Sequence, residues 1–303
     1  MMGCIATLLV YSCGGGRNHN KNGSSDLILR QQRALPLPQV PPGITDVSER
    51  ADYVACHFWD ALDFSDQKVF ADTEFLEQTF SNYISILPVC GDDGLVRSVT
   101  YLLNRAHEAG KAEIIMQVAE KYLWESDSPF RSERIYTPFV EYAVSHFADN
   151  KDRYQEILLD ISKNKPGSMA PGFSATGRNG GKISIEPRTD NKRTVVMFYE
   201  PDCEQCKASI SRLSADPILD RLVGDGSLRF IAVYVGENID LWKKHSQSLP
   251  ENWEVGVDEL MDIDNRDLYQ IRATPSFYVI GEDGRIIIKD GGIQEVLFWL
   301  GEN

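Results

Sequence analysis

The hydrophobic pattern of the chain changes near residue 165, and this change limits the possible fold more than any single motif does. Between residues 48 and 164 apolar side chains recur every three or four positions, which is the spacing of amphipathic helices. After residue 165 short runs rich in β-branched and aromatic residues, such as RTVVMFY at 193–199, alternate with helical patterns. The pattern predicts an all-α helical domain at 48–164 followed by an α/β domain at 165–303.

The charge of the chain argues against one class of partner. Its 303 residues carry a formal net charge of -14, and no run of Lys and Arg provides a local exception. Such a chain repels phosphate backbones, so we do not expect a nucleic-acid partner. The acidic residues are spread along the chain, as they are on an ordinary solvated surface.

The first residues, MMGCIATLLVYSCGGG, contain an apolar stretch far shorter than the roughly 20 residues that span a bilayer. The sequence VYSC at 10–13, followed by three glycines, resembles a bacterial lipobox, in which the cysteine becomes the lipid-bearing first residue. We therefore predict a signal segment at 1–13 with lipidation at Cys13, and a flexible proline-rich linker at 14–47. A cytoplasmic protein with an uninformative N-terminus is the alternative.

The predicted helical domain offers little chemistry. Its histidines, His57, His107 and His146, stand singly without a second ligand at metal-binding spacing, so we assign them no metal. Cys56 and Cys90 leave two alternatives open, a disulfide in an oxidising compartment or two separate buried thiols, and we favour the thiols.

The segment FYEPDCEQCK at 198–207 places two cysteines between an apolar strand and a helical pattern. Cys203 is expected at the N-terminus of that helix, where unsatisfied backbone N–H groups and the helix dipole favour a thiolate. Cys206 follows one turn later on the same face, at a spacing that suits a reversible disulfide. A zinc site would need four ligands, and because neither a second Cys-x-x-Cys nor a histidine pair follows, we predict no metal.

Together with its surroundings, this motif resembles the thioredoxin superfamily, and more closely the membrane-tethered thiol-disulfide oxidoreductases of the TlpA and ResA type. The resemblance covers residues 167–300. PGSMAPGF resembles the first hairpin of that branch, VVMFYEPDCEQCK its active-site strand and helix, and LYQIRATPSFYVIGEDGRI its cis-proline segment. The resemblance implies a thioredoxin-like fold, a central mixed sheet flanked by helices, with the Cys203–Cys206 disulfide as the redox group and no other cofactor.

The same resemblance implies a role for each residue of the site. Cys203 is the expected nucleophile and Cys206 the resolving thiol, while Pro275, after a cis Thr274–Pro275 bond, shapes the substrate groove. The residues expected to contact the substrate are Thr274, Pro201 and Tyr199.

Two further segments carry a resemblance, and two positions depart from the family. NIDLWKKHSQSLPENWEVGVDE at 238–259 resembles the helical insertion of TlpA-type proteins, and the helical domain resembles an uncharacterised module of some Gram-negative lipoproteins. Thioredoxin keeps a buried aspartate on its active-site strand, where this chain has Met197. A glutamate that follows the motif in TlpA-type proteins is absent from KASISRL at 207–213.

The predicted function is thiol-disulfide exchange in the cell envelope by a periplasm-facing or surface lipoprotein. Its expected partners are protein thiols and disulfides, an upstream envelope electron donor, and the membrane through the lipid on Cys13. The alternative is a non-catalytic envelope binding protein, in which the thioredoxin-like unit is a scaffold and its disulfide is structural. Met197 and the missing glutamate are the main observations that favour the alternative.

Overall fold

The computed structural model describes residues 34–186 and 192–302. The predicted signal segment, its lipidation site Cys13 and most of the predicted linker lie outside these residues. The described part of the linker, residues 34–46, contains neither a helix nor a strand, and Leu35 packs against the helical core. Within the described ranges, every helix is too short or too polar to cross a bilayer.

The N-terminal part is helical, as predicted. Its α-helices are α1 Val47–His57, α2 Gln67–Ala71, α3 Thr73–Ile84, α4 Asp92–Glu108, α5 Ala112–Leu123, α6 Glu133–His146 and α7 Lys151–Ser162, with short 3-10 turns at Leu87–Val89 and Ala148–Asn150. Aspartates or a serine cap several of them; the Asp72 carboxylate accepts the Phe75 N–H at 3.1 Å, and Ser132 caps α6. These caps occupy the short polar breaks between the apolar repeats.

One apolar core holds these helices together. Trp59, Phe80 and Phe139 are fully buried at its centre, where aromatic rings meet at centroid distances of 5 to 6 Å, such as the 5.4 Å between Trp59 and Tyr83. The hydroxyl of Tyr83 shares a 2.6 Å hydrogen bond with Ser98, which satisfies a polar group that would otherwise be costly to bury.

The C-terminal part contains one seven-stranded mixed sheet within the described residues. Its strands are β1 Phe173–Gly177, β2 Lys182–Ile185, β3 Arg193–Tyr199, β4 Leu228–Tyr234, β5 Glu254–Val257, β6 Ser276–Ile280 and β7 Ile286–Gly291, in the order β2-β1-β5-β4-β3-β6-β7. Strands β3, β4 and β5 run parallel, and β6 is antiparallel to β3. The helices are α8 Glu204–Ser214, α9 Pro217–Gly224, α10 Ile239–Ser246, α11 Asp262–Asn265 and α12 Ile293–Glu302.

Strand β3 is apolar throughout because both of its faces are buried. Val195, Met197 and Tyr199 point to the core beneath α8, and Val196 and Phe198 point to a second core on the other face of the sheet. A strand covered on both sides needs no polar alternation, which explains the continuous run in the sequence. Because β3 is central, the motif at its C-terminal end lies where its two neighbours β4 and β6 can contribute residues.

The structure corrects the predicted element order at two places. The segment at 238–259, expected to be helical, contains α10 but then forms strand β5, which joins β4 to β1. Helix α9, which the sequence pattern did not separate from α8, begins at Pro217 after its own cap, Asp216. The glycine-rich GRNGGK at 177–182 is the tight turn between β1 and β2, with Gly180 at a positive φ of 75°.

Candidate functional site

Cys203 is the N-cap of helix α8. Its backbone is extended, with φ -78° and ψ 120°, and its Sγ accepts a hydrogen bond from the Cys206 N–H at 3.1 Å. The thiol therefore takes the place of the serine or aspartate oxygen that usually caps a helix. A negative sulfur at this position receives an N–H donor and the favourable end of the helix dipole, which is what a reactive thiolate needs. The side chain is half-buried.

Cys206, one helical turn later, is fully buried. Burial raises the pKa of Cys206 to about 12, and the neighbouring Cys203 thiol adds to the increase. Both cysteines are free thiols in this structure. The two sulfurs therefore differ sharply: one is capped by an amide and reachable, and the other is protonated and enclosed.

The Thr274–Pro275 peptide bond is cis, as expected from the resemblance, and it lies directly against the thiols. The Cys203 thiol donates to the Thr274 carbonyl oxygen, with 3.3 Å between Sγ and O. Strand β6 begins at Ser276, directly after Pro275, and Ser276 pairs with Phe198 of β3. The pairing of β3 with β6 thus brings together two segments that are far apart in the sequence.

Two of the residues expected to contact a substrate do not offer the surface to do so. Tyr199 is fully buried beneath α8, and Pro201 is buried in the turn that leads to Cys203. Both point inward because β3 is covered on both faces up to its last residue. Thr274 and Pro275, in contrast, are half-buried and line the surface beside the thiol.

Sequence reasoning missed a polar cluster behind the cysteines. The Tyr199 hydroxyl, Trp242 Nε1 and His245 Nδ1 are buried and have no hydrogen-bond partner among the described residues. The rings of Tyr199 and His245 are 5.7 Å apart, and burial lowers the pKa of His245, assisted by nearby Lys207. His245 is a lone histidine in a segment expected to be an insertion, so no sequence signal pointed to it.

Met197 is fully buried in β3, so the structure supplies no carboxylate at the thioredoxin aspartate position. The acidic residue between the cysteines, Glu204, pairs instead with Lys207 at 2.6 Å on the exposed side of α8. An exposed pair of this kind stabilises the helix only slightly, but it offsets the negative charge next to Cys203.

The loop before Pro275 is held by charged residues that the sequence did not single out. The carboxylate of Asp290, at the end of β7, is 1% exposed and accepts hydrogen bonds from Ser276 Oγ at 2.7 Å and Arg272 Nε at 2.8 Å. Since Arg272 and Ser276 flank the Thr274–Pro275 bond, Asp290 clamps both ends of the loop.

The second pair of cysteines lies in the helical part and takes no part in this site. Cys56 and Cys90 are separate thiols in this structure, as favoured from the sequence, and their sulfurs contact the carbonyl oxygens of Gly94 at 3.9 Å and Ile86 at 3.8 Å. Over the residues that the structure describes, no cluster of three or more His, Cys, Asp or Glu side chains is arranged to hold a metal ion.

The helical part of the chain matches a known protein family. Residues 12–164, about half of the chain, match the family described as a domain of unknown function, DUF5106. The chain belongs to the DUF5106 family. In this member the family's helical domain precedes a mixed sheet that carries the Cys203–Cys206 motif.

A solved structure shares the fold over most of this DUF5106 protein. A thioredoxin-like protein from Bacteroides caccae superposes with a TM-score of 0.81 at 25% identity, over 89% of this chain and 98% of that one. The C-terminal part is therefore thioredoxin-like, and the arrangement of the two parts is shared with that protein.

Shorter matches each cover less than half of this chain. A conserved protein of unknown function from Bacteroides fragilis is 31% identical over 45% of this chain and 98% of its own, with a TM-score of 0.42. The thioredoxin domain of a thiol-disulfide oxidoreductase from Bacteroides vulgatus is 18% identical over 45% and 98%, with a TM-score of 0.39. The comparison with curated proteins found no match.

Proposed function

We propose that this DUF5106 protein is a thiol-disulfide oxidoreductase of the TlpA and ResA type, which exchanges its Cys203–Cys206 pair with cysteines of polypeptide substrates. One observation carries the proposal: Cys203 Sγ accepts the Cys206 N–H at 3.1 Å and lies 3.3 Å from the carbonyl of Thr274, beside the cis bond. A structural disulfide needs neither the amide cap nor an adjoining groove.

The first step is attack by the Cys203 thiolate on a substrate disulfide. A bond forms between Cys203 Sγ and one substrate sulfur, while the substrate disulfide breaks and its other sulfur leaves as a thiolate. The amide cap from Cys206 N–H supports the negative sulfur before the attack.

The second step resolves the mixed disulfide. Cys206 loses its proton and attacks Cys203 Sγ, and the substrate sulfur leaves as a second thiolate. Two electrons and two protons pass in total from the cysteine pair to the substrate. A further turnover needs a dithiol donor that reduces the Cys203–Cys206 disulfide, the role we assign to an upstream envelope protein.

The envelope location is part of the proposal. Its support is the VYSC sequence at 10–13, which would attach a lipid to Cys13 and leave a proline-rich tether before the folded part. Oxidised protein substrates are common in that compartment and rare in the cytosol.

The test is reduction of insulin by the purified protein with dithiothreitol as electron donor. We expect Cys203→Ser to lower the turnover at least about a hundredfold, because no other thiol at the site has both a cap and access. Cys206→Ser, reduced beforehand and mixed with insulin after the dithiothreitol has been removed, should instead accumulate a covalent adduct between Cys203 and the substrate, visible by mass spectrometry.

A purely structural Cys203–Cys206 disulfide would give a different result in the insulin assay. If the wild-type protein did not accelerate insulin reduction and the Cys203–Cys206 disulfide resisted dithiothreitol, the protein would be better described as an envelope binding protein on a thioredoxin-like scaffold. Cys56→Ser is the matched control, since Cys56 is also half-buried but lies outside the site.

A further inference from the structure

A groove of about 630 Å³ opens beside the cis-proline loop. Its lining includes Ala273, Thr274 and Pro275 of that loop and Gln205 and Ser209 of α8. Cys203 does not line the groove itself, but its Sγ is 3.3 Å from the carbonyl oxygen of Thr274, which does.

Part of the groove lining comes from the helical domain. It consists of Ser126, Ser128, Pro129 and Arg131, in the loop between α5 and α6, and we call these residues the helical wall. The loop is closed by its own hydrogen bonds: Ser128 Oγ donates to the Tyr122 carbonyl at 2.5 Å, and the Phe130 N–H donates back to Ser128 Oγ at 3.2 Å. The helical wall is therefore built on ordered backbone.

Charged contacts hold the helical wall against the cis-proline loop. Arg131 donates to the backbone carbonyl of Asp290 and, at 3.3 Å, to its carboxylate. The same carboxylate accepts from Ser276 and Arg272 on either side of Thr274–Pro275. Because Asp290 is almost fully buried, these hydrogen bonds are shielded from water and constrain both sides of the groove together.

A second set of contacts fixes the same two segments. Glu133, the first residue of α6, forms ion pairs with Arg272 at 3.3 Å and with the buried Lys289 at 3.0 Å. The guanidinium of Arg272 also lies 4.4 Å from the ring centre of Trp124, at the other end of the α5–α6 loop. Arg272, two residues before Thr274, is thus held jointly by Asp290 of β7 and by Glu133 and Trp124 of the helical domain.

We propose that the helical wall forms one side of the polypeptide-binding groove at Cys203, so that the helical domain takes part in selecting which cysteine-containing segment reaches the nucleophile. This inference rests on the proposed function. Asp290, Arg272 and Glu133 act as positioning residues, because they hold the two sides of the groove without facing the reacting sulfurs.

The expected occupant is an extended polypeptide segment. The loop at Ala273 and Thr274 offers backbone groups at the end of a sheet strand, which can pair with a segment in strand conformation. The lining is mixed, because the hydroxyl and amide groups of Ser126 and Gln205 lie among apolar residues such as Pro129 and Ile293. Such a surface offers hydrogen-bond partners to peptide groups and apolar contacts to the side chains of an extended segment.

The test compares two substrates with the same leaving group. One is the thionitrobenzoate mixed disulfide of a flexible peptide of about ten residues, about 33 Å when extended, with a central cysteine. The other is the same mixed disulfide of N-acetylcysteine amide. Attack by Cys203 on the substrate cysteine sulfur releases coloured thionitrobenzoate in both cases, and Cys206 then releases the peptide or the small thiol. The observed rate against substrate concentration gives a half-saturation concentration and a limiting rate for each.

Ser126→Trp places a bulky ring on the exposed helical wall. We expect the ratio of second-order rate constants, peptide over small substrate, to fall about tenfold, mainly through the half-saturation concentration for the peptide. Ser145→Trp, at an exposed position of α6 outside the groove, is the matched control and should leave both substrates unaffected.

A second measurement does not depend on rates. With p-benzoylphenylalanine at position 126 and Cys206→Ser in the same chain, the trapped peptide should photo-crosslink to the helical wall, whereas the probe at position 145 should give no crosslink. Equal rate ratios for Ser126→Trp and Ser145→Trp, or equal crosslinking, would overturn the groove while leaving the oxidoreductase intact. A wild-type protein that released thionitrobenzoate from neither substrate would overturn the proposed function, and the groove with it.

Discussion

The helical and thioredoxin-like parts each contain two cysteines, but they place them differently. Cys56 lies within helix α1, and burial raises its pKa. Cys90 follows a 3-10 turn, and burial raises its pKa to about 12. Cys203 caps a helix and faces the cis-proline loop, while Cys206 is buried one turn behind it. Both pairs thus contain one half-buried and one buried sulfur.

The difference lies in what surrounds the half-buried sulfur. Each of these sulfurs contacts a carbonyl oxygen, that of Thr274 for Cys203 and one of α4 for Cys56. Cys203 also receives the Cys206 N–H, which favours a negative charge. The two sulfurs thus have similar exposure but different donors, which follow from their positions within the helices. Under the proposed function, we expect the amide cap rather than exposure to decide which thiol reacts.

The largest expected effect is a pH dependence within the Cys203–Cys206 pair. In the mixed disulfide Cys203 carries no thiol proton, but burial still raises the pKa of Cys206 far above neutrality. The thiolate fraction of Cys206, and with it the rate of resolution, should rise about tenfold per pH unit from pH 6 to 9. Stopped-flow release of the peptide from a preformed mixed disulfide measures this rate.

A pH-independent resolution rate would contradict that assignment and would mean that Cys206 is deprotonated by a neighbour. Tyr199 and His245 are the polar groups buried behind it, so His245→Gln separates the two explanations. The same variant should leave the slope unchanged if burial alone sets the pKa of Cys206.

Alkylation ranks the four thiols directly. With iodoacetamide at neutral pH, Cys203 should react at least about tenfold faster than Cys56, although both side chains are half-buried, because only Cys203 has an amide cap. The two buried thiols, Cys90 and Cys206, should react more slowly than either. Peptide mass spectrometry after short exposures gives the four rates. Equal rates for Cys203 and Cys56 would show that the amide cap does not make Cys203 more reactive.

The smallest expected effect concerns stability. Cys90→Ser puts a hydroxyl into an apolar core and should lower the free energy of unfolding by about 1 to 2 kcal/mol. Cys56→Ser, at a half-buried position, should change it by less than about 0.5 kcal/mol. Urea unfolding followed by circular dichroism tests both, and a larger loss at Cys56 would show that its contact with α4 matters more than its burial.

The elements and the position of Cys203 at a helix N-terminus could be predicted because they depend on neighbours in the sequence. Apolar spacing identified the helices of the N-terminal part, the continuous run RTVVMFY identified a strand buried on both faces, and the position of Cys203 after that strand indicated a helix cap. Strand β5 escaped prediction because it is four residues long and follows a helix closely. The burial of Tyr199 escaped it because a strand's last residue can face either the core or the surface.

By itself, the sequence determined the two-part organisation, the cysteine pair and the proline that follows it, since periodicity and short motifs are local properties. Only the tertiary structure decided which residues surround the sulfur. The charged contacts of Arg131 and Glu133 with Arg272, Lys289 and Asp290 join segments more than a hundred residues apart. Such pairs leave no periodic trace in the sequence, because each charge alone resembles an ordinary surface residue until the two parts of the chain pack together.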